Sequence, residues 1–467
     1  MRQHLGVVVA CVVACACWVR GESPVSEAKP AWLRVQWNVA VSESISPGVF
    51  GSNIFRTPGD EQHRSEAFGR YMAETGFRFV RIHQGGLYRW LSDEENRTVA
   101  ADRVLEGFGS FTWDADGKTV YCLNIPNVPV WVGAILAEGK TDEAVSEYGR
   151  FCGELARLIK DRCRVKITYW EPLNEGLREE FDRGRIETKW RLWVAAAKAI
   201  KAVDEAFKLV GPTPCECHMG IFKSFIAYVD GVDPALLDCV TWHTYPIGLR
   251  RVPTSAVMQR TPEFGRDARA VRELVDRLRP GRKTELLLGE FNINYNWEDA
   301  DPRMKDHVGA VWFGSVFNHL IRGGIDHATS WHIDEGAYGM VSLEGQVRPA
   351  GELYRYANNV LGGRACEVAG TDEGLEAIAT ESGKHWAVLV VNKSEAPRAV
   401  TLDTDVRLDK NERAKSVGRV GGVMIDAAGV RALAFEAEGL EIDPVVVPVE
   451  MDGLSVAMVW IEKDVKP

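Results

Sequence analysis

Val165-Lys166-Ile167-Thr168-Tyr169-Trp170-Glu171-Pro172-Leu173-Asn174-Glu175-Gly176 opens as a short β-prone run and delivers Asn174 and Glu175 beyond its C-terminal end. About a hundred residues on, Leu286-Leu287-Leu288-Gly289-Glu290-Phe291-Asn292 repeats the layout, an apolar strand with a carboxylate at its tip. Apolar runs of this kind, without alternation, belong to strands covered on both faces.

Working outward, similar runs recur along the chain. Gly48 to Ile54 reads as a first strand, and Phe77-Arg78-Phe79-Val80-Arg81-Ile82-His83 as a second. Val128-Pro129-Val130-Trp131-Val132 reads as a third, the stretch quoted above as a fourth, and Leu209-Val210-Gly211 as a fifth. Asp238 to His243 makes a sixth, the run to Glu290 a seventh, and His327 to Trp331 an eighth. Helical stretches lie between them. Glu66 to Thr75 stops at Gly76, and Val145, Tyr148, Cys152, Leu155 and Ile159 form a stripe at three- and four-residue steps behind Thr141. Further helices are expected at Ala268 to Leu278 and Val308 to Leu320. Eight strands, most followed by a helix, predict an α/β fold, a (β/α)8 TIM barrel over 46–354. A doubly wound open sheet would want a Gly-rich phosphate turn after its first strand, and Gly51-Ser52-Asn53 supplies none.

The flanks read differently. Beyond about Leu361, Val-rich runs such as Trp386 to Asn392 alternate with Gly, Asp and Asn turns, which predicts a β-sandwich over 355–467. Ala31 to Val41 places Leu33, Val35, Trp37, Val39 and Val41 on one face. Such alternation suits a half-buried strand, so 31–45 is assigned to the sandwich. Residues 1–22 carry Arg2, an apolar run from Leu5 and then Gly21-Glu22-Ser23-Pro24, the pattern of an export signal. Within it Val12-Val13-Ala14-Cys15 looks like a bacterial lipoprotein box, making Cys15 a candidate lipid anchor.

Composition narrows the function. The chain has 467 residues, 46% hydrophobic and 26% charged, with a net charge of −10 and no long basic run. That argues against a nucleic-acid partner. Of ten Cys three lie in the leader, and the remaining seven have no framework spacing. Cys215-Glu216-Cys217-His218 lacks a second ligand pair at finger-like spacing, so neither a metal nor a cofactor is expected. Fifteen Trp offer flat faces suited to sugar rings, although most will fill core.

Two glutamates at the C-terminal ends of barrel strands are what glycosidic bond cleavage requires. One carboxyl protonates the leaving oxygen and the other meets the developing oxocarbenium ion. Glu175 and Glu290 are therefore the candidate catalytic pair. Other polar residues fall at predicted strand ends, Arg81 and His83 after strand two, His243 and Tyr245 after strand six, Trp331, His332 and Asp334 after strand eight. Arg81 and Tyr245 can hold one carboxylate ionised, and Asn174 can hold a sugar hydroxyl. Arg81, His83, Asn174, His243, Tyr245, Trp331 and Asp334 are thus expected at a carbohydrate-binding site.

With these motifs in hand the chain resembles clan A of the glycoside hydrolases, and within it glycoside hydrolase family 39. The likeness rests on Asn174-Glu175 at strand four and Glu290 at strand seven. Phe79-Val80-Arg81-Ile82-His83, His243-Thr244-Tyr245-Pro246 and the β-sandwich completed by an N-terminal strand add to it. One departure is that Glu175 precedes Gly176, where the family usually has proline. The resemblance implies a retaining enzyme with Glu175 as acid/base and Glu290 as nucleophile; Arg81 and Tyr245 are expected to keep Glu290 ionised, and its negative charge to raise the pKa of Glu175. Xylose, arabinose, uronic acid and galactose-type substrates all stay open, with exo action expected. The alternative is a decayed barrel that binds carbohydrate without cutting it.

Overall fold

The computed structural model describes residues 30–83, 90–249, 251–298, 300–408, 419–435 and 441–463. The leader, with Cys15, lies outside them. Eight parallel strands close into a barrel in chain order, Gly51–Ile54, Phe79–His83, Val120–Asn124, Ile167–Glu171, Lys208–Pro212, Cys239–Thr244, Glu285–Phe291 and His327–Ser330. The third strand corrects the sequence reading. Val128 to Val132 is no strand, and Val130–Ala137 is a helix that buries Trp131, Val132 and Ile135. Its β-branched residues are overruled by packing, and the stave is Val120–Asn124, whose Tyr121, Cys122 and Leu123 are wholly buried.

Period-two alternation sorts each stave into an outward and an inward set. In strand two Val80 and Ile82 join the large core under the helices, while Phe79 packs inside the barrel with Cys122, Tyr169, Val210, Cys239 and Leu287. Arg81 stands on the inward side one layer above Phe79, and His83 one layer above that, at the mouth. Strand seven breaks this rule to a purpose. Leu286 and Leu288 face the helices and Leu287 the interior, so strict alternation would send Glu290 outward. Register shifts between Leu288 and Glu290 against strand six, and between Leu288 and Phe291 against strand eight, mark a β-bulge. Gly289 and Glu290 both face inward as a result, the kind of re-aiming that bulges perform beside active sites. The displaced Gly289 carbonyl accepts from Asn53 Nδ2 at 2.9 Å and Thr329 Oγ1 at 2.6 Å, so it stays paired although buried.

Helix Glu66–Thr75 begins with the Ser65 hydroxyl accepting from the Phe68 N–H and ends at Gly76, whose φ of 64° needs no Cβ penalty. The last barrel helix is Pro349–Val360, so the expected boundary at 354/355 falls inside it and the second domain starts at Gly363. Among the described residues that domain is a single ten-stranded sheet. Ala31–Ile45 lies within it, antiparallel to Gly363–Ala369 and parallel to Arg398–Asp403. Leu33 and Val35 are buried in the sheet's own core, but register shifts after Gln36 break the alternation and leave Val39 exposed. Central strand His385–Asn392 is apolar on both faces. Val388 and Val390 join the sheet core, while Leu389 and Val391 join the barrel core. Gly314 on helix His307–Gly323 lets Val391 and Val456 approach that helix closely.

Candidate active site

Arg81 is fully buried and donates to four acceptors: Nε to Glu171 Oε2 at 2.6 Å, Nη1 to Asn53 Oδ1 and Glu290 Oε1 at 2.9 Å each, and Nη2 to Asn174 Oδ1 at 2.8 Å. Burial alone would lower its pKa, but the charges of Glu171 and Glu290 outweigh that and hold it protonated. Glu171 is wholly buried too, and its second oxygen accepts from Thr213 Oγ1 at 2.6 Å. A carboxylate sealed this way anchors Arg81 and cannot reach a substrate. Arg81, expected both to hold the nucleophile carboxylate and to meet the substrate, does the first: it is sealed beneath Glu290 and bonds it, and does not line the cleft.

Glu290 accepts from Arg81 on one oxygen and from the Tyr245 hydroxyl, at 3.0 Å, on the other. Glu175 stands across the cleft in a left-handed backbone conformation, φ 47°, held by its N–H to the Thr213 carbonyl at 2.9 Å. Strained backbone of this kind concentrates at functional positions. Its Oε1 lies 2.7 Å from His243 Nδ1, which is 3.7 Å from Glu290 Oε2. One oxygen of Glu175, one of Glu290 and a nitrogen of His243 all fall within 4.8 Å of one another. These three could hold a metal ion, although Arg81 already supplies the positive charge at Glu290.

The electrostatics of the free site run against the sequence expectation. Burial drives the Glu290 carboxyl up, and the repulsion of Glu175 adds to it, while His243 and Arg81 pull it down; the net shift is upward. For Glu175 burial also pushes up, but the hydrogen bond and charge of His243 prevail and lower it. The difference follows exposure: the Glu175 side chain is 39% accessible and that of Glu290 7%. His83 is held well below its ordinary value by burial, then by Arg81 and His243, so it is neutral at neutral pH.

A cleft of about 1110 Å³ opens over the pair. Of the expected residues it is lined by His83, Asn174, Glu175, Tyr245, Glu290 and Trp331. Arg81 can only donate, so the Asn174 atom facing it is the oxygen, which leaves the amide N–H2 for the cleft. His243 supports Glu175 from behind, buried. Asp334 is displaced from its expected role: wholly buried, it bonds His63 and accepts from the Phe55 N–H at 2.6 Å. His332, named after strand eight, lines the cleft as well, whereas the sequence reading missed Phe55 and Tyr338 in the lining, and Tyr295 and Trp297 at its rim. These four stand on loops, where no periodicity marks them.

No family model matches the chain. Its sequence is 24% identical over 371 residues to a β-xylosidase of Caldicellulosiruptor saccharolyticus, spanning 71% of this chain and 72% of that protein. Solved structures that resemble it include a family 51 α-L-arabinofuranosidase from Bifidobacterium longum, TM-score 0.65 at 15% identity over 93% of this chain and 100% of that one. The glycoside hydrolase family 39 enzyme from Xanthomonas axonopodis pv. citri aligns at TM-score 0.60 and 15% identity, over 93% and 98%. At these identities the structural likeness carries the fold, a TIM barrel with an appended β-domain.

Proposed function

We propose that the protein is a retaining glycoside hydrolase, exported from the cell, that releases neutral sugars from β-xyloside-type chains. The observation that carries this reading is that one carboxyl oxygen of Glu175 and one of Glu290 lie within 4.8 Å of each other at the barrel mouth, which favours the shorter of two known separations. Retaining enzymes hold their carboxyl groups about 5 to 5.5 Å apart, whereas inverting ones need roughly 6.5 to 9.5 Å to admit a water. In the first step Glu290 attacks the anomeric carbon, Glu175 gives its proton to the leaving oxygen, and the glycosidic C–O bond breaks. In the second Glu175 takes a proton from water, which displaces Glu290 from the glycosyl ester.

His243 suits Glu175 to both steps, because Nδ1 donates in one imidazole tautomer and accepts in the other. The lowered pKa of Glu175 in the free site suits the ionised form that takes the proton from water in the second step. A sugar seated over its exposed face removes water and raises it, and the positive charge growing on the sugar favours ionised Glu290. The Asn174 amide donates to the hydroxyl beside the anomeric carbon.

The neutral-sugar assignment is supported by the lining, which among the described residues contains no Lys or Arg to pair with a uronate. The β-xylosidase relative supports xylose. A cleft of about 1110 Å³ takes few rings, which supports attack at chain ends. Export is supported by the leader sequence, and lipidation at Cys15 by its Val-Val-Ala-Cys box.

Azide rescue tests the pair. Glu175→Ala should show a burst on nitrophenyl xyloside and then stall, with azide restoring turnover and yielding a glycosyl azide of retained configuration. Glu290→Ala with azide should give the inverted product. If neither variant responds and both still cut xylobiose, the pair is not catalytic.

A further inference from the structure

Two of the most exposed aromatic side chains among the described residues stand together on the cleft. Tyr295 is 63% and Trp297 69% accessible, and both line the same cavity as Glu175 and Glu290. Exposing two large rings costs water-facing apolar surface that folding alone does not require. They sit on the loop after strand seven, and that loop is built rather than loose. Ile247 and Asn294 form a parallel bridge beyond the barrel, and the Tyr295 N–H donates to the Ile247 carbonyl at 3.1 Å. Asn294 is wholly buried, and its Oδ1 accepts from the Asn296 N–H at 2.8 Å, fixing the turn that presents Trp297. The Tyr295 ring lies against Gly248 so closely that a Cβ there would fall 2.1 to 2.5 Å from ring atoms.

We infer that Tyr295 and Trp297 form a stacking platform for the sugar on the leaving-group side of the scissile bond, so that this loop selects the aglycone. The inference rests on the hydrolase reading above. A sugar is amphipathic, with an apolar C–H face and hydroxyls at its edge, which is the partner an exposed ring flanked by polar cleft residues suits. The Tyr295 N–H and ring are tied to the loop after strand six, the strand whose His243 holds Glu175, so the pair stands toward the acid and its occupant is the ring of the same chain that the acid releases. No Lys or Arg lines the described cleft, so that ring too is neutral.

The platform predicts a split between substrates. Covering roughly 55 Å² of ring at about 25 cal/mol per Å² corresponds to about tenfold in kcat/KM. β-D-xylosyl fluoride has no second sugar, whereas xylobiose places one on the platform. For Trp297→Ala and Tyr295→Ala, the ratio of kcat/KM on xylobiose to that on the fluoride should fall about tenfold each. Gly248→Ala keeps both rings but pushes the Tyr295 ring from its seat, and should lower the ratio in the same direction. Trp32→Ala, which removes another exposed ring, on the β-sheet domain outside the cleft, should leave it unchanged. A ratio unchanged in all three loop variants overturns the platform. If the wild-type protein cleaves neither compound, the hydrolase reading fails separately, and calorimetric binding of xylotriose then decides. Affinity about tenfold weaker in Trp297→Ala supports the platform, whereas equal affinity, or no binding by the wild type, overturns it.

Discussion

Tyr245→Phe probes the charge on Glu290 with the least disturbance, because it removes one donor and keeps the ring. The Tyr245 hydroxyl donates to Glu290 Oε2 at 3.0 Å, while Arg81 continues to serve Oε1 at 2.9 Å. A hydrogen bond to a charged group contributes about 1.5 to 3 kcal/mol. At about 1.4 kcal/mol per pH unit, its loss raises the pKa of that carboxyl by roughly one to two units. Burial already pushes Glu290 upward, with the repulsion of Glu175 adding to it, so the variant moves further in the same direction. The nucleophile must be ionised. The acidic limb of kcat/KM against pH should therefore shift to higher pH by roughly one to two units. The assay is initial rates on nitrophenyl xyloside across the pH range, with a thermal melt at pH 7 to show that the fold is kept. An acidic limb that stays in place, or moves to lower pH, would refute the assignment of Glu290 as the ionised group that Tyr245 supports.

Two further outcomes test other parts of the structure. Gly289→Ala would bring a Cβ to 2.9 Å from Thr241 Oγ1 and 3.2 Å from His243 Nε2 inside the barrel; it should cut kcat at least tenfold and move the pH profile, at a stability cost of about 1 to 3 kcal/mol, and full activity would show that the bulge does not hold the catalytic geometry. Glu376 on the sheet meets Ser315 at 2.6 Å and His319 at 2.9 Å on the barrel helix, and also Lys393. Burial would raise its carboxyl, but His319 and Lys393 hold it down at about 2. From an ordinary 4.5 this depression amounts to about 3 kcal/mol. The stabilisation is present above pH 4.5 and lost as pH falls toward 2. Glu376→Gln should melt below the wild type at pH 7, with the gap closing below pH 4.5; a gap independent of pH would show that the charge contributes nothing.

Much of this molecule was written locally. Seven of the eight staves, the Gly76 helix stop and the pairing of Asn174-Glu175 with Glu290 follow from apolar runs, a glycine's freedom at positive φ and residue types at strand ends. Each depends on a few neighbouring residues, so one sequence suffices to read it. The third stave did not yield, because Val120–Asn124 and Val128 to Val132 are both apolar, and only packing on neighbouring elements tells a stave from a helix start. Burial likewise separated residues of one type. Glu171 and Glu175 lie four positions apart, yet one is sealed against Arg81 and the other faces the cleft. Asp334 went under the cleft because His63, far from it in the chain, bonds it there. The loop aromatics Tyr295 and Trp297 carry no periodic signal, and their place is fixed by the Ile247–Asn294 bridge and by Gly248. The bulge shows the limit most plainly. Glu290 ends an apolar run in which alternation points it at the helices. It faces the cleft because Asn53 and Thr329, on other strands, satisfy the displaced Gly289 carbonyl, and Arg81 waits inside to receive its charge.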